Sequence, residues 1–493
     1  MKKLLRVLAV LLGFGTAFAQ APDPRPPAVA GRFYPASDLA LAKEIARCLK
    51  GPAPREKGAV VALMVPHAAI EFSGAAAGKA YLLLKKGAFD AVIVIGTGHH
   101  KAVEGAAIYP GRYAAAKTVL PYDSALASAL MKASPFITVD AKAHDEEHSI
   151  EVQVPFIAKA LGNVPLVGLV MNSQDLEVAR AVGSALAQVA KGKRILLVAS
   201  SDLSHYPSGA VADIVDKTTL SALETMDSAF FWLTNRLLAN RGLPDLSVSY
   251  CGEGAVTAVM TAAKALGATR ASVLARLNSG DVVSEREYNH VVGYAAVSFL
   301  NGGPAPADPR RLDRAEKQEL LRLARKSIED YLATGKAAAA ALSADPKYNL
   351  PGAVFVTLKD AQGALRGCVG SVVAQESLLE SVARNAVAGA VSDSRFTPLT
   401  LSELKGVRIE ISQLAPPRAV PDFSAVSKGD GVILEKDEHT GVFLPQVWEQ
   451  IPDKGVFLSE LCRQKAGLAA DCYKDSSVRL KTFGVDLFEE PGR

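Results

Sequence analysis

The sequence predicts an α/β domain with a mainly parallel sheet flanked by helices, followed by a smaller α+β domain. Over residues 20–300, continuous apolar runs alternate with alanine-rich helical stretches, a pattern typical of βαβ units. A Gly- and Pro-rich segment at 301–310 cannot continue a helix or a strand. The chain of 493 residues also exceeds the size of one ordinary core. We therefore expect domains at 20–300 and 311–493, joined by a linker at 301–310.

Each element of this architecture follows from a local pattern. In the first domain, runs of Val, Ile, Leu and Ala predict strands that are buried on both faces of the sheet. The predicted strands lie at 60–65, 91–95, 195–199, 293–300, 353–358 and 407–414, and the predicted helices at 38–49, 123–132, 177–191, 255–266, 314–332 and 377–391.

The N-terminus has the pattern of a secretory signal peptide at residues 1–19. Three basic residues precede an apolar stretch at 7–14 and the small-x-small sequence Ala17-Phe18-Ala19. Cleavage would make the protein periplasmic or secreted, with no stable membrane span; a buried first helix or an uncleaved anchor is the alternative. The formal net charge of +4 would fall to +1, since three basic residues leave, and no nucleic-acid surface is indicated.

Five cysteines occur in the chain, so at least one is unpaired if the others form disulfides. Cys462 and Cys472 are close enough in sequence to pair, and two buried free thiols are the alternative. The remaining cysteines are Cys48, Cys251 and Cys368.

Three histidines, His67, His99 and His205, stand just past the ends of predicted strands. Ligands gather at the carboxyl ends of parallel strands, and independent core histidines have no reason to prefer that edge. Cys251 precedes the helical stretch at 255–266, where the free N–H groups of a helix N-terminus favour a thiolate. We therefore expect His67, His99 and Cys251 to bind iron (Fe²⁺) or copper, with zinc as an alternative.

Asp202 and His205 form a second pair after the strand at 195–199. A neutral imidazole near the metal can accept a proton from a bound substrate, so His205 is a candidate base. Asp202 is expected to set a tautomer, to add a ligand, or merely to cap the turn. His100 adjoins His99 and is expected to point elsewhere.

The segment His144-Asp145-Glu146-Glu147-His148 matches the H-x-x-E-H pattern of inverse zinc proteases. That pattern needs both histidines on one helix face. Pro155 follows soon after and leaves the helix little room. A zinc protease is therefore the less favoured alternative for this domain.

The first domain resembles a known family in five separated motifs. They are Pro66-His67-Ala68, Gly98-His99-His100, Glu147 to Glu151, Ser200 to His205, and Cys251-Gly252. In this order they resemble the Memo family, whose fold is similar to that of the class III extradiol dioxygenases, which use non-haem iron. The resemblance implies metal ligands at His67, His99 and Cys251, and a pocket lined by His148, Asp202 and His205, with His205 matching the base of the dioxygenases.

Two features separate this chain from the dioxygenases and from the usual family pattern. Cys251 stands where the dioxygenases have a carboxylate, and a thiolate is softer and oxidisable, which favours copper or redox chemistry over catechol cleavage. The pairs Ala69-Ile70 and Thr97-Gly98 also replace the usual residues beside the first two ligands. These changes alter the pocket wall and leave the ligands in place.

The second domain resembles the AMMECR family through Leu365 to Ser371, Asp393 to Leu399 and Gly441 to Val447. Arg366 beside two glycines could present its guanidinium to an anion, although a solvated arginine in a turn is the favoured interpretation. Cys368 is expected to be a buried thiol rather than a nucleophile.

The fusion of the two modules resembles the AmmeMemoRadiSam group, which implies a radical S-adenosylmethionine protein as partner. The expected function is metal-dependent redox chemistry on a small-molecule or peptide substrate. A non-catalytic protein that binds a metal or a peptide is the second hypothesis.

Overall fold

A computed structural model of the protein describes residues 22–282, 289–304, 307–337 and 341–491. The predicted signal peptide at 1–19 lies outside the described residues, as does part of the predicted linker. Within the described ranges, no helix has the length and apolar character needed to cross a membrane.

The described part of the first domain is built on an eight-stranded mixed sheet in the order β6-β3-β7-β2-β8-β1-β10-β9. The central strands β7, β2, β8 and β1 are parallel, and β10 and β9 continue the sheet in antiparallel fashion. A short hairpin, β4 and β5, lies outside the sheet. The strands are β1 Ala59–Val65, β2 Ala91–Thr97, β3 Ala106–Ile108, β4 Tyr113–Ala115, β5 Thr118–Leu120, β6 Ile137–Val139, β7 Leu166–Met171, β8 Ile195–Ser200, β9 Arg270–Asn278 and β10 Gly293–Asn301.

Helices cover both faces of this sheet. Side chains of a strand alternate between the faces, so Met64 packs into one core while Leu63 and Val65 pack into the other. This arrangement confirms the predicted α/β fold. The helices are α1 Asp38–Cys48, α2 Ile70–Tyr81, α3 Ser124–Ala133, α4 Val154–Leu161, α5 Leu176–Ala190, α6 Gly209–Glu224, α7 Ser228–Ala239 and α8 Glu253–Ala265.

The register of the parallel strands places three strand ends in one row. Val65 of β1 and Gly96 of β2 both pair with Ser200, the last residue of β8. His67 lies two residues after Val65, and His99 lies three residues after Gly96. Both histidines therefore lie at the same edge of the sheet. The pairing therefore explains why histidines far apart in sequence meet.

The second domain follows β10, which ends at Asn301, and begins with α9 at Arg314. Its described residues form two four-stranded antiparallel sheets, in the orders β12-β11-β13-β18 and β14-β17-β15-β16, which fits the predicted α+β class. Its elements are α9 Arg314–Thr334, α10 Pro346–Asn349, β11 Ala353–Lys359, β12 Leu365–Gly370, α11 Leu378–Val391, α12 Leu401–Leu404, β13 Arg408–Leu414, β14 Arg418–Val420, β15 Gly431–Lys436, β16 His439–Phe443, α13 Val447–Gln450, α14 Lys454–Glu460, β17 Arg479–Phe483 and β18 Val485–Glu489.

Cys462 and Cys472 are joined by a disulfide in the second domain. Of the two alternatives left open by the sequence, the structure therefore contains the bonded pair. Cys48, Cys251 and Cys368 are free.

Candidate metal centre

His67 is almost completely buried, and its surroundings fix which nitrogen carries the proton. Its Nδ1 lies 3.3 Å from Oγ of Ser200. That hydroxyl donates its proton to the carbonyl oxygen of Ser149 at 2.6 Å and accepts from Nε2 of Gln153 at 2.8 Å. Because the hydroxyl has no second proton, Nδ1 of His67 must donate to it. When His67 is neutral, as it would be when bound to a metal, its lone pair is therefore on Nε2.

His99 is oriented in the same way by a buried carboxylate. Its Nδ1 lies 3.0 Å from Oε1 of Glu147, and its backbone N–H donates to Oε2 at 2.6 Å. The backbone N–H groups of His148 and Ser149 also donate to Glu147, both at 2.8 Å. A carboxylate that accepts from Nδ1 leaves Nε2 of a neutral imidazole as the ligand atom, as in many carboxylate–histidine–metal sites.

The pKa values of Glu147 and His99 support an ionised carboxylate at Glu147. Burial disfavours the charged carboxylate, but hydrogen bonding and charge from His99 hold the pKa of Glu147 below its usual value. Burial likewise lowers the pKa of His99, while hydrogen bonds to Cys251 and Glu147 outweigh it and raise that pKa to about 10. In the metal-free protein His99 therefore keeps a second proton, and metal binding would release it.

Cys251, the third predicted ligand, lies just before α8. Its Sγ lies 3.3 Å from Nε2 of His67 and accepts from the backbone N–H of Asp202 at 3.2 Å. Burial opposes ionisation, but the positive charge of His67 and polar interactions with His205 and His67 hold the pKa of the thiol well below its usual range. These interactions favour the thiolate form of the sulfur, and the residue is partly exposed.

The three predicted ligands converge. One ligand atom from each of His67, His99 and Cys251 lies within 4.8 Å of the other two. In a tetrahedral site with ordinary bond lengths such atoms are about 3.5 Å apart, so small side-chain rotations suffice to bring them around one ion. The rings of His67 and His99 are perpendicular, with centroids 5.1 Å apart. The donor set of two imidazoles and one thiolate thus fits a metal ion.

His148 lies against this cluster, as expected for a pocket residue. Its ring stacks on His99 with centroids 4.5 Å apart and contacts Phe33 at 4.6 Å. Burial and the positive charge of His67 lower the pKa of His148 to about 3, so the ring is neutral. His99, Glu147 and His148 also form a possible ligand group by distance alone. Since Glu147 already accepts several backbone N–H groups, we assign it to orientation.

Asp202 and His205 complete the predicted set. Oδ1 of Asp202 accepts from the backbone N–H groups of His67 at 2.8 Å and Ala68 at 3.3 Å, which fixes the loop that carries the first ligand. Burial raises the pKa of Asp202. Nε2 of His205 is buried and has no hydrogen-bond partner among the described residues. His205 also contributes to the low pKa of the Cys251 thiol, which places its imidazole beside that sulfur.

The H-x-x-E-H segment does not form a zinc site of the protease type. Residues Ala141–His144 form a short 3-10 helix, and His148 lies beyond its end. The ring of His144 is fully buried, with Nε2 donating to the carbonyl oxygen of Ala107 at 2.9 Å and Nδ1 accepting from the hydroxyl of Tyr113. Both nitrogens are therefore used, which argues against the zinc-protease hypothesis.

Sequence reasoning missed Arg25, which holds the loop behind the site. This fully buried side chain donates to the carbonyl oxygens of His144 and Glu147 and forms an ion pair with Glu151 at 2.6 Å. Glu151 in turn accepts from the hydroxyl of Tyr34 at 2.5 Å. A single arginine in a Pro-rich stretch belongs to no periodic pattern, so the sequence carries no local signal for this role.

An α/β sheet with a His-His-Cys cluster at its carboxyl edge defines the class of the first domain. The family model described as Memo-like protein matches residues 25–298, more than half of the chain, and the chain belongs to this family. The model described as AMMECR1 matches residues 321–488. Both modules predicted from the sequence are therefore confirmed.

Relatives and a solved structure accompany these matches. MEMO1 family proteins of Nitrosopumilus maritimus and Methanopyrus kandleri are 30% identical over 283 residues and 34% identical over 294 residues, each match covering 56% of this chain and 99% of the relative. An uncharacterized protein from Pyrococcus horikoshii with a crystal structure is 37% identical, with a TM-score of 0.33, and the match covers 35% of this chain and 91% of that one.

Proposed function

We propose that the Memo-like domain binds one iron or copper ion through His67, His99 and Cys251 and performs metal-dependent redox chemistry on a small-molecule or peptide substrate. The observation that carries the proposal is the convergence of one atom from each of these residues. Hydrogen bonds to Ser200 and Glu147 hold both imidazoles by Nδ1, which leaves Nε2 of each ring for the ion.

The donor set narrows the choice of metal. Imidazole suits iron, copper and zinc, and a thiolate favours the softer ions and redox-active ones. An ion held by three protein ligands keeps an open position, at which it would supply electron transfer or activation of dioxygen. The family is related to the class III extradiol dioxygenases, and Cys251 in place of their carboxylate favours redox chemistry other than catechol cleavage.

The surrounding residues have separate roles in this proposal. His205 accepts a proton from the bound substrate through Nε2, which is buried and otherwise unpartnered. Asp202 fixes the backbone of His67, and the neutral ring of His148 lines the pocket beside His99. Because none of these three roles requires direct ligation, substitution of His205 should leave metal binding intact.

The test is consumption of dioxygen by protein loaded anaerobically with Fe²⁺ or copper, with ascorbate as electron donor. Once unbound metal has been removed, we expect metal-dependent consumption by the wild type, loss of both binding and consumption in His67→Ala, and retained metal binding in His205→Gln. Tight binding without consumption by the wild type would contradict the enzymatic proposal and favour the alternative of a non-catalytic metal- or peptide-binding protein.

We also propose that the protein is exported through residues 1–19. The disulfide between Cys462 and Cys472 supports this, because such bonds persist in oxidising compartments. An exported protein would not contact an iron–sulfur radical enzyme, which works in the reducing cytoplasm, so export weighs against the radical S-adenosylmethionine partner. Mass spectrometry of the protein from its native cells tests this: a mature chain beginning at Gln20 is expected, and an intact N-terminus in the cytoplasmic fraction would contradict it.

A further inference from the structure

We propose that the AMMECR1 domain has an oxyanion-binding site centred on Arg366. This residue lies on β12 at a break in the strand register, where Gly367 pairs with Leu358 and Leu365 pairs with Lys359. Arg366 is therefore the extra residue of a β-bulge, a feature that redirects a side chain and is common beside functional sites. Only 17% of its side chain is exposed, so the expectation of a solvated arginine was wrong.

The guanidinium of Arg366 makes no hydrogen bond to an acidic side chain among the described residues. Its Nη1 is buried and makes no hydrogen bond to any described residue. The carboxylate of Glu403 is 3.7 Å from Nη2, too far for a hydrogen bond. Oε2 of Glu403 instead accepts from the backbone N–H and the hydroxyl of Thr400, at 2.8 and 2.7 Å. A buried charged donor without a partner is costly, so a ligand that supplies acceptors would be bound favourably.

Apart from the half-exposed Glu403, the neighbouring acidic group Asp393 does not compensate the charge of Arg366. The guanidinium of Arg366 lies 6.0 Å from the ring centroid of Phe396, and the guanidinium of Arg395 lies 5.5 Å from the same centroid. Asp393 neutralises Arg395 through two hydrogen bonds, at 2.9 and 2.7 Å, and also accepts from the backbone N–H of Cys368 at 2.8 Å. Asp393 is thus fully used, and Arg366 is the cation that remains available.

These features specify the chemistry of the ligand. A planar guanidinium fork matches a carboxylate or a phosphate group, and the ring of Phe396 offers an apolar surface beside it. Glu403 is half-exposed, so its displacement by the incoming anion would uncover the guanidinium. Cys368, predicted to be a buried thiol, is partly exposed on the same strand. The site would therefore take a molecule that carries one carboxylate or phosphate group.

Titration calorimetry of the full chain, freed of metal by a chelator, tests the proposal with inorganic phosphate and acetate as probes. We expect saturable binding of at least one probe, with a dissociation constant in about the millimolar range for so small a ligand. Affinity should fall about tenfold or more in Arg366→Gln and less in Arg366→Lys. The matched control is Arg384→Gln, because Arg384 is an exposed arginine of α11 with its own ion pair to Glu376.

Each outcome of this titration decides the proposal. Binding of phosphate alone identifies a phosphorylated ligand, and binding of acetate alone identifies a carboxylate ligand. Absence of saturation with both probes would overturn the site, as would equal affinity in Arg366→Gln and the wild type. Circular dichroism of each variant checks folding, and the Arg366→Lys variant keeps the test decisive if Arg366→Gln unfolds.

Discussion

Nδ1 of His99 lies 3.0 Å from Oε1 of Glu147, a carboxylate that is 1% exposed and accepts three backbone N–H groups. Glu147 thereby orients one proposed metal ligand and would not itself bind the ion. Substitution of a residue in this position commonly lowers metal affinity, because such a residue fixes the tautomer and the ring orientation of the ligand.

We expect Glu147→Gln to weaken metal affinity by about 10- to 100-fold, since a neutral amide holds the proton on Nδ1 of His99 less strongly than a carboxylate does. Competition with a chromophoric chelator measures the change. Glu146→Gln is the matched control, because Glu146 is adjacent and 81% exposed. Equal metal affinities in Glu147→Gln and Glu146→Gln would mean that Glu147 has no role in metal binding.

Arg25 should act on the same centre through the loop that it holds. Arg25→Lys keeps a charge beside Glu151 but cannot reach the carbonyl oxygens of both His144 and Glu147. We expect an affinity loss of about tenfold that does not add to the loss in Glu147→Gln, since both changes free the same imidazole. Arg194→Lys, at an exposed ion pair, is the control. Fully additive losses would mean that Arg25 acts elsewhere.

Cys251 should react as a thiolate in the metal-free protein. Burial opposes this, but the charge of His67 and polar interactions with His205 and His67 hold the pKa of the thiol well below its usual range. The rate of alkylation by iodoacetamide should therefore vary little from about pH 6 to pH 9, unlike that of an ordinary thiol. The same cysteine in urea-unfolded protein is the reference. A tenfold increase per pH unit in the folded protein would refute the thiolate assignment.

Asp216 should make the first domain less stable as the pH rises. Burial raises the pKa of this carboxyl from 3.8 to about 7. Between these values the unfolded chain ionises while the folded one stays neutral, so this contribution to stability is complete below about pH 4 and is lost by about pH 7. Asp216→Asn has no carboxyl to ionise and so avoids this loss of stability. The difference in free energy of unfolding between Asp216→Asn and wild type should therefore increase by up to about 4 kcal/mol from pH 4 to pH 8.

Denaturant unfolding followed by the fluorescence of Trp232, in a Trp448→Phe background, measures the stability of this domain. Asp213→Asn is the control, because ion pairs with Lys217 and Arg276 outweigh burial and lower the pKa of Asp213, which gives the opposite pH dependence. If Asp216→Asn and wild type change in parallel with pH, the carboxyl is not held neutral.

The sequence predicted the strands and the ligand residues because strong periodic patterns specify them. Continuous apolar runs identified β1, β2 and β8, and parallel pairing then required His67 and His99 to share one edge. The roles of Ser200 and Glu147 depend on hydrogen bonds between segments distant in sequence, which no local pattern encodes. The burial of Arg366, whose guanidinium lies 6.0 Å from the ring centroid of Phe396, could likewise not be foreseen from a glycine-flanked motif.

Metal analysis of protein purified anaerobically shows whether His67, His99 and Cys251 bind one shared ion. We expect one iron or copper ion per chain in the wild type, loss of that ion in His67→Ala, His99→Ala and Cys251→Ala, and full occupancy in the control His100→Ala, whose side chain is 46% exposed. Unchanged metal content in folded Cys251→Ala or His67→Ala would contradict a shared ion at these three residues.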